Sequence, residues 1–264
     1  MSASGLPNRR RFMAAGGALA LSACAPPADA DAVRVFAAAS LTDALGALAD
    51  QWRRGGGGET VLSFSGSGAV ARQVLAGAPA DFVALADPAW MDRLGDAGAV
   101  RPASRFDLVC NRLVVVGGAD SASSGDPIGA LLRGAGRLAM GDPDSVPAGA
   151  YARDWLTRIG RWDDLQDRIL PAADVRAVRS FVARGEAELG VVYRSDTVGA
   201  SSVRVVLEPP PGEQPRIVCP AALTLAAGPV AEAFAAFLRS TEAAAVFSRH
   251  GFAPLDRSGA GSGV

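Results

Sequence analysis

Lysine is missing from this sequence altogether: all 26 basic residues are arginine. In a chain so rich in alanine and glycine, the absence reads as a coding bias more than a demand for guanidinium chemistry. Histidine occurs once, as His250 in FSRHGFAPL, where a helix runs into Gly251. That is an ordinary place for a cation at a helix C-terminus. One histidine excludes a metal site that needs two, and it disfavours nucleophilic catalysis that leans on an imidazole. Charge of either sign in excess is also lacking. The formal net charge is −1, so no global field draws the chain to nucleic acid or to acidic surfaces.

What is present is apolar. Hydrophobic residues make up 49% of the 264, enough for a sizeable core or for two lobes of ordinary size. The run from Phe12 to Leu21 follows Arg9, Arg10 and Arg11 and is too short to span a bilayer. It has the layout of an export signal, and Asn8-Arg9-Arg10-Arg11-Phe12-Met13 resembles a twin-arginine signal with Asn in place of Ser or Thr. LSAC, ending at Cys24, resembles a lipobox, in which the cysteine becomes the lipid-carrying first residue. The alternative is a plain secretory signal cut near ADADA. Ala25 to Ala32 then reads as a tether. Cys110 and Cys219 would face an oxidising compartment, where they either pair or sit as buried thiols.

From Val33 onward, strand and helix patterns alternate. Strands are expected at Val33–Ala38, Thr60–Ser65, ADFVALA, Leu113–Gly118, Arg137–Pro143, LGVVYRSD and Ile217–Leu225. Helices are expected at Leu41–Arg53, Ala69–Ala76, Pro88–Ala97, AGAYARDWLTRIG, DVRAVRSFVARGE and Val230–Arg249. The βαβαβ series predicts α/β architecture with mostly parallel sheets. No internal repeat is visible.

Four junctions into helices carry almost no bulk: AAASL around Ser40, SGSGAVA around Ser67, VPAGAYA around Ala148 and PAADVRA around Val175. A helix N-terminus presents unpaired N–H groups and a partial positive charge, which suits an anion. Each junction also has a plain structural explanation. Ser40 can be an N-cap backed by Asp43, the glycines can make a tight turn, and Asp174 is itself a good N-cap. Gly66-Ser67-Gly68-Ala69-Val70-Ala71 also fits a dinucleotide fingerprint with Asp87 downstream, which makes an exported dinucleotide-dependent enzyme the rival from another class.

The stretches FAAASLTDAL, SFSGSGAVARQVLAGAPADFVALAD, NRLVVV, RLAMGDPDSVPAGAYARDWL, ADVRAV and LGVVYRSDTV resemble the periplasmic molybdate-binding proteins of ABC importers, from about Val33 to Phe252. The resemblance implies a two-lobed periplasmic-binding-protein fold of type II, each lobe a mostly parallel sheet with helices on both faces. It implies lobe 1 over 32–107 plus 219–257 and lobe 2 over 108–218, after an export segment at 1–31 and before a flexible tail at 258–264. It further implies an oxyanion ligand, molybdate or tungstate, held by the hydroxyls and N–H groups of Ser40 and Ser67, the N–H groups of Ala148 and Val175, and the phenol of Tyr193. Molybdenum would be bound only as molybdate. No cofactor, no catalysis and no nucleic acid are expected, the chain would be a monomer, and its partner would be a membrane permease. Sulfate is the alternative ligand. The chain departs from the family pattern at Gly66 and Gly68, where serine is frequent, and these glycines are expected to loosen the turn.

Overall fold

β1 (Val33–Ala38) lies between β2 (Thr60–Ser65) and β3 (Phe82–Ala84), parallel to both. Val33, Val35 and Ala37 are buried, as period-two alternation requires of a strand packed into a sheet. The computed structural model describes residues 32–121 and 125–255. The export segment, the Cys24 lipobox and the C-terminal tail lie outside the described residues.

Helix α1 (Thr42–Arg54) follows β1, α2 (Ser67–Leu75) follows β2 and α3 (Pro88–Asp96) follows β3. In α1 the buried residues are Ala44, Leu45, Leu48 and Ala49, one stripe at helical spacing. β4 (Phe106–Asn111) then completes an edge of the first sheet, and β5 (Leu113–Gly118) opens the second. The second lobe continues through α4 (Pro127–Arg133), β6 (Leu138–Gly141), α5 (Pro147–Arg158), α6 (Trp162–Leu165), β7 (Ile169–Ala172), α7 (Val175–Ala183), β8 (Leu189–Tyr193) and β9 (Val203–Leu207). The chain returns in β10 (Ile217–Leu223) and ends in α8 (Pro229–Leu238) and α9 (Thr241–Arg249).

The strand orders are β2-β1-β3-β10-β4 and β7-β6-β8-β5-β9. They are the same order twice, although the sequence shows no repeat. Four strands in each sheet share a direction. The fifth, β10 in the first sheet and β5 in the second, runs against its neighbours. Each of these reversed strands arrives from the other lobe, so it enters its sheet from the cleft end.

The crossings fall at Arg112 and between Leu207 and Ile217, not at 107/108 and 218/219 as expected. β4 finishes the first sheet before the chain leaves it, and β10 already belongs to that sheet at Ile217. Asn111 ties the first crossing to the residues after β8: its Nδ2 donates to Ser195 Oγ at 2.9 Å and its Oδ1 accepts from Arg112 N at 2.9 Å. Gln214 ties the second crossing to the first, its Oε1 accepting from Leu113 N at 2.7 Å.

One further expectation is corrected, other elements were not anticipated, and the alternative left open for Cys110 and Cys219 is resolved. The helix expected over Val230–Arg249 is two helices, broken where Ser240 caps α9 by accepting from Ala243 N at 3.1 Å. β4, α4, α6, β7 and β9 were not anticipated. No bond joins Cys110 to Cys219. In the β4–β10 pair, Cys110 opposes Val218 and Cys219 opposes Val109, so the two cysteines project from opposite faces of the sheet.

The aromatic cluster of the first lobe anchors its last helices. Trp52 meets Phe234 edge-on at 5.6 Å, and Phe82 meets Phe234 at 5.8 Å. Fully burying such a ring stabilises by roughly 1.5–3 kcal/mol. Among the described residues no helix is long and apolar enough to cross a membrane.

Candidate ligand-binding site

Six parallel strands, β1, β2 and β3 from one sheet and β6, β7 and β8 from the other, point their carboxyl ends at one small cavity. That end of a parallel sheet is where open α/β folds place ligands. Its lining comes from the residues just past each strand: Ala38, Ala39 and Ser40; Gly66 and Ser67; Ala86; Val146, Pro147 and Ala148; Asp174 and Val175; and Tyr193. All five of the expected site residues are therefore brought together. The cavity is small, with about 10 Å³ of room for the centre of a water-sized sphere.

Two of the hydroxyls are orphans. Ser40 is 7% exposed and Tyr193 1%, and among the described residues neither Ser40 Oγ nor Tyr193 Oη has a hydrogen-bond partner. A buried polar group left unpaired costs about 1–3 kcal/mol, so two of them facing one cavity point to something that is bound there. Ser67 is 1% exposed, and its Oγ accepts from Ala86 N at 3.0 Å. That bond uses a lone pair and leaves the Ser67 proton available to donate. Ala86 was not anticipated. The small residues in ALADP, at the end of β3, are the same signal as AAAS at the end of β1.

The helix ends supply the remaining donors. Ser67 and Val175 open α2 and α7, and Ala148 is the second residue of α5. First-turn N–H groups have no intrahelical acceptor. At α2 and α5 no side chain caps them. At α7 Asp174 does cap, accepting from Ala177 N at 2.9 Å, which turns one of its oxygens to a partner outside the cavity. Ser40 caps nothing. It sits inside a short 3₁₀ turn, Ala39–Leu41, and Asp43 pairs instead with Arg176 Nη2 at 2.7 Å.

Protonation reinforces the donor character. Burial, and after it the charges of Tyr151, Cys219, Asp196 and Asp87, pushes the Tyr193 phenol well above its usual range. It stays protonated and able to donate. Asp196 accepts from Tyr193 N at 2.9 Å and so fixes the backbone that carries the phenol. Burial lifts the Asp196 carboxyl to about 7, against the pull of that hydrogen bond and of Arg179 and Arg176.

Gly66 and Gly68 do not loosen their turn. A Cβ on Gly66 would lie 2.5 Å from Ala173 O, and one on Gly68 would lie 2.4 Å from Ser145 O and 2.8 Å from the Trp90 ring. Both carbonyls belong to the opposite lobe. At both glycines the two lobes approach too closely for a Cβ, and their backbone is extended or helical, needing no special φ. The same crowding removes the dinucleotide reading. A fingerprint turn needs open space for a pyrophosphate, and here it faces two carbonyl oxygens. Asp87, the would-be ribose acid, caps α3 by accepting from Trp90 N at 3.1 Å.

Two hinged α/β lobes closed over a cavity of donors define a solute-binding protein. The sequence pattern of the bacterial extracellular solute-binding proteins matches residues 33–253. The molybdate-binding protein ModA of Escherichia coli is 41% identical over 91% of this chain and 93% of its own length. A Bacillus subtilis protein, provisionally named the ABC transporter substrate-binding lipoprotein YvgL, is 33% identical over 83% of this chain and 85% of its own. The structure of the periplasmic molybdate-binding protein of Azotobacter vinelandii superposes with a TM-score of 0.75 at 28% identity, covering 83% of this chain and 98% of that one. The chain belongs to the bacterial extracellular solute-binding proteins, in the family of the molybdate-binding proteins.

Proposed function

We propose that this chain binds molybdate, and tungstate as well, in the cavity at the six strand ends, and delivers it to the permease of an ABC importer. The two orphaned hydroxyls, Ser40 Oγ from one lobe and Tyr193 Oη from the other, carry the reading. The proposed ligands are Ser40, Ser67, Ala148, Val175 and Tyr193. Their donors form a cage without a cation in its lining. A fully deprotonated tetrahedral dianion gains charge-assisted hydrogen bonds there from hydroxyls and helix ends. Hydrogen phosphate carries a proton that needs an acceptor. The one carboxylate in the lining, Asp174, is engaged in capping α7, and the five proposed ligand groups are donors, so that need is met poorly, at a cost of about 1–3 kcal/mol. Sulfate carries no proton and is told apart by size alone. The protein works by binding and closing, with no catalytic group and no cofactor.

A thermal-shift panel of molybdate, tungstate, sulfate, phosphate and NAD on the purified protein tests this, because a ligand that binds only the folded form raises its stability. Molybdate and tungstate are expected to raise the melting temperature, phosphate and NAD to leave it unchanged. A shift with sulfate alone would replace the ligand, and a shift with NAD alone would overturn the class.

We further propose that Cys24 is lipidated and tethers the protein to the outer face of the cytoplasmic membrane. LSAC and the relative named as a lipoprotein support this. Cys24→Ser is expected to move the protein from the membrane fraction to the soluble one. A wild-type protein found wholly soluble would end the idea.

A further inference from the structure

Two side-chain contacts cross the cleft without lining the cavity. Asp43, in the first turn of α1, meets Arg176 Nη2 at 2.7 Å, joining the residues after β1 to those after β7. The phenol of Tyr151 of α5 stands near the carboxylate of Asp87, whose charge it feels, joining the residues after β6 to those after β3. Each contact stands close in sequence to the cavity. Asp43 is three residues from Ser40, Arg176 follows Val175, Asp87 follows Ala86 and Tyr151 is one helical turn beyond Ala148.

Neither pair is explained by its own element. Arg176 is the second residue of α7, and a cation at a helix N-terminus is unfavourable for that helix. Its guanidinium reaches an acid of the other lobe, Asp43, and also lies in the field of Asp196 in its own lobe. Tyr151 is half-buried, and burial first, then Asp87, raises its pKa, so the phenol stays protonated beside the carboxylate from the other lobe. Asp87 is already satisfied as the cap of α3 and needs no second partner for that role.

We propose that these pairs are two latches: Asp43–Arg176 and Asp87–Tyr151 hold the lobes shut and set how long the ligand stays, while touching no part of it. The proposal rests on the oxyanion-binding reading. Because both pairs span the lobes, they form only as the cleft closes and break as it opens. They therefore act on the rate of release. Capture takes place before closure and is independent of them. The ion pair is half exposed and is weakened by salt.

The test is stopped-flow tryptophan fluorescence with molybdate on the parent, Asp43→Asn, Arg176→Gln, the double variant of those two, and Tyr151→Phe. Release is expected to quicken about two- to fivefold when either member of the exposed ion pair is lost. Loss of the Tyr151 hydroxyl is expected to quicken it about tenfold. The double variant should be no faster than its singles, and association rates should stay within about twofold. Unchanged release in all three single variants, or a slowing confined to association, overturns the latches. The ligand is judged separately, by the parent. If the parent binds sulfate and not molybdate, the ligand assignment falls and the same rates are read with sulfate. If it binds neither, small-angle scattering decides. A larger radius of gyration for Asp43→Asn/Tyr151→Phe than for the parent supports the latches, and an equal one overturns them.

Discussion

In the first lobe the cavity meets serines, Ser40 and Ser67, whose hydroxyls stand beside their own backbone N–H groups. In the second it meets Ala148 and Val175, which have no polar side-chain atom, and one phenol, Tyr193. The same strand order underlies both walls. The difference lies in what side-chain replacement can reach. The first wall donates through groups that a single substitution deletes, whereas most of the second donates through the main chain. Its contribution can be removed only by keeping it at a distance. A contact across a cleft therefore has two independent failure modes, loss of a donor and loss of closure.

Loss of closure should have the larger effect, and Gly68 is where to impose it. Gly68→Ala puts a Cβ 2.4 Å from Ser145 O, and the neighbour is backbone, which has little freedom to yield. The lobes must then stop short, and every donor of the second wall moves out of hydrogen-bond range together. Molybdate affinity should fall by more than the loss of any one hydroxyl, that is by more than about 150-fold. The ligand-free melting temperature of Gly66→Ala should change little, because its Cβ meets only the opposite lobe, whereas Gly68→Ala also crowds Trp90 of its own lobe at 2.8 Å and should lose some stability in either form. Titration calorimetry and thermal melts on Gly66→Ala and Gly68→Ala check both parts. Near-parental affinity in both variants would mean that the lobes do not need this approach to bind.

Much of this was legible in the sequence, for reasons that differ by residue. β1, β2 and β5 were read to the residue because apolar strand residues end at sharp breaks: small residues after Ala38, glycine after Ser65 and Gly118 at the end of LVVVGG. The five site residues share a signal that is local, a strand end with no bulk in front of a helix. Relations across the cleft are not local and left no mark. Nothing in the sequence says that Asp43 faces Arg176, that Asp87 faces Tyr151, or that Gly66 and Gly68 serve contact and not flexibility. β9 and β7 were missed because RVVLEPP and ILPA are short and run into prolines or charge, which mask a strand in a linear reading. The break at Ser240 was missed because the apolar spacing continues past it, and only the cap geometry ends α8.

Loss of a donor separates the walls more finely. Ser40→Ala and Tyr193→Phe each delete a buried hydroxyl that has no protein partner. The ligand-free protein should then be as stable as the parent or slightly more so, because an unsatisfied polar group has been removed. Affinity should still fall about 10- to 150-fold in each, since the lost bond went to a charged oxygen. Ser67→Ala differs, because Ser67 Oγ also accepts from Ala86 N. It should lose a similar factor in affinity and in addition about 0.5–1.5 kcal/mol of ligand-free stability, the value of a typical hydrogen bond. Ser65→Ala, two residues earlier on β2 and outside the cavity lining, should lose no affinity. Titration with molybdate beside chemical denaturation of the free proteins yields the four pairs of values. If Ser40→Ala lowers ligand-free stability by the ~0.5–2 kcal/mol of a lost helix cap and leaves affinity intact, Ser40 is a structural residue and the first wall binds through Ser67 and the main chain alone.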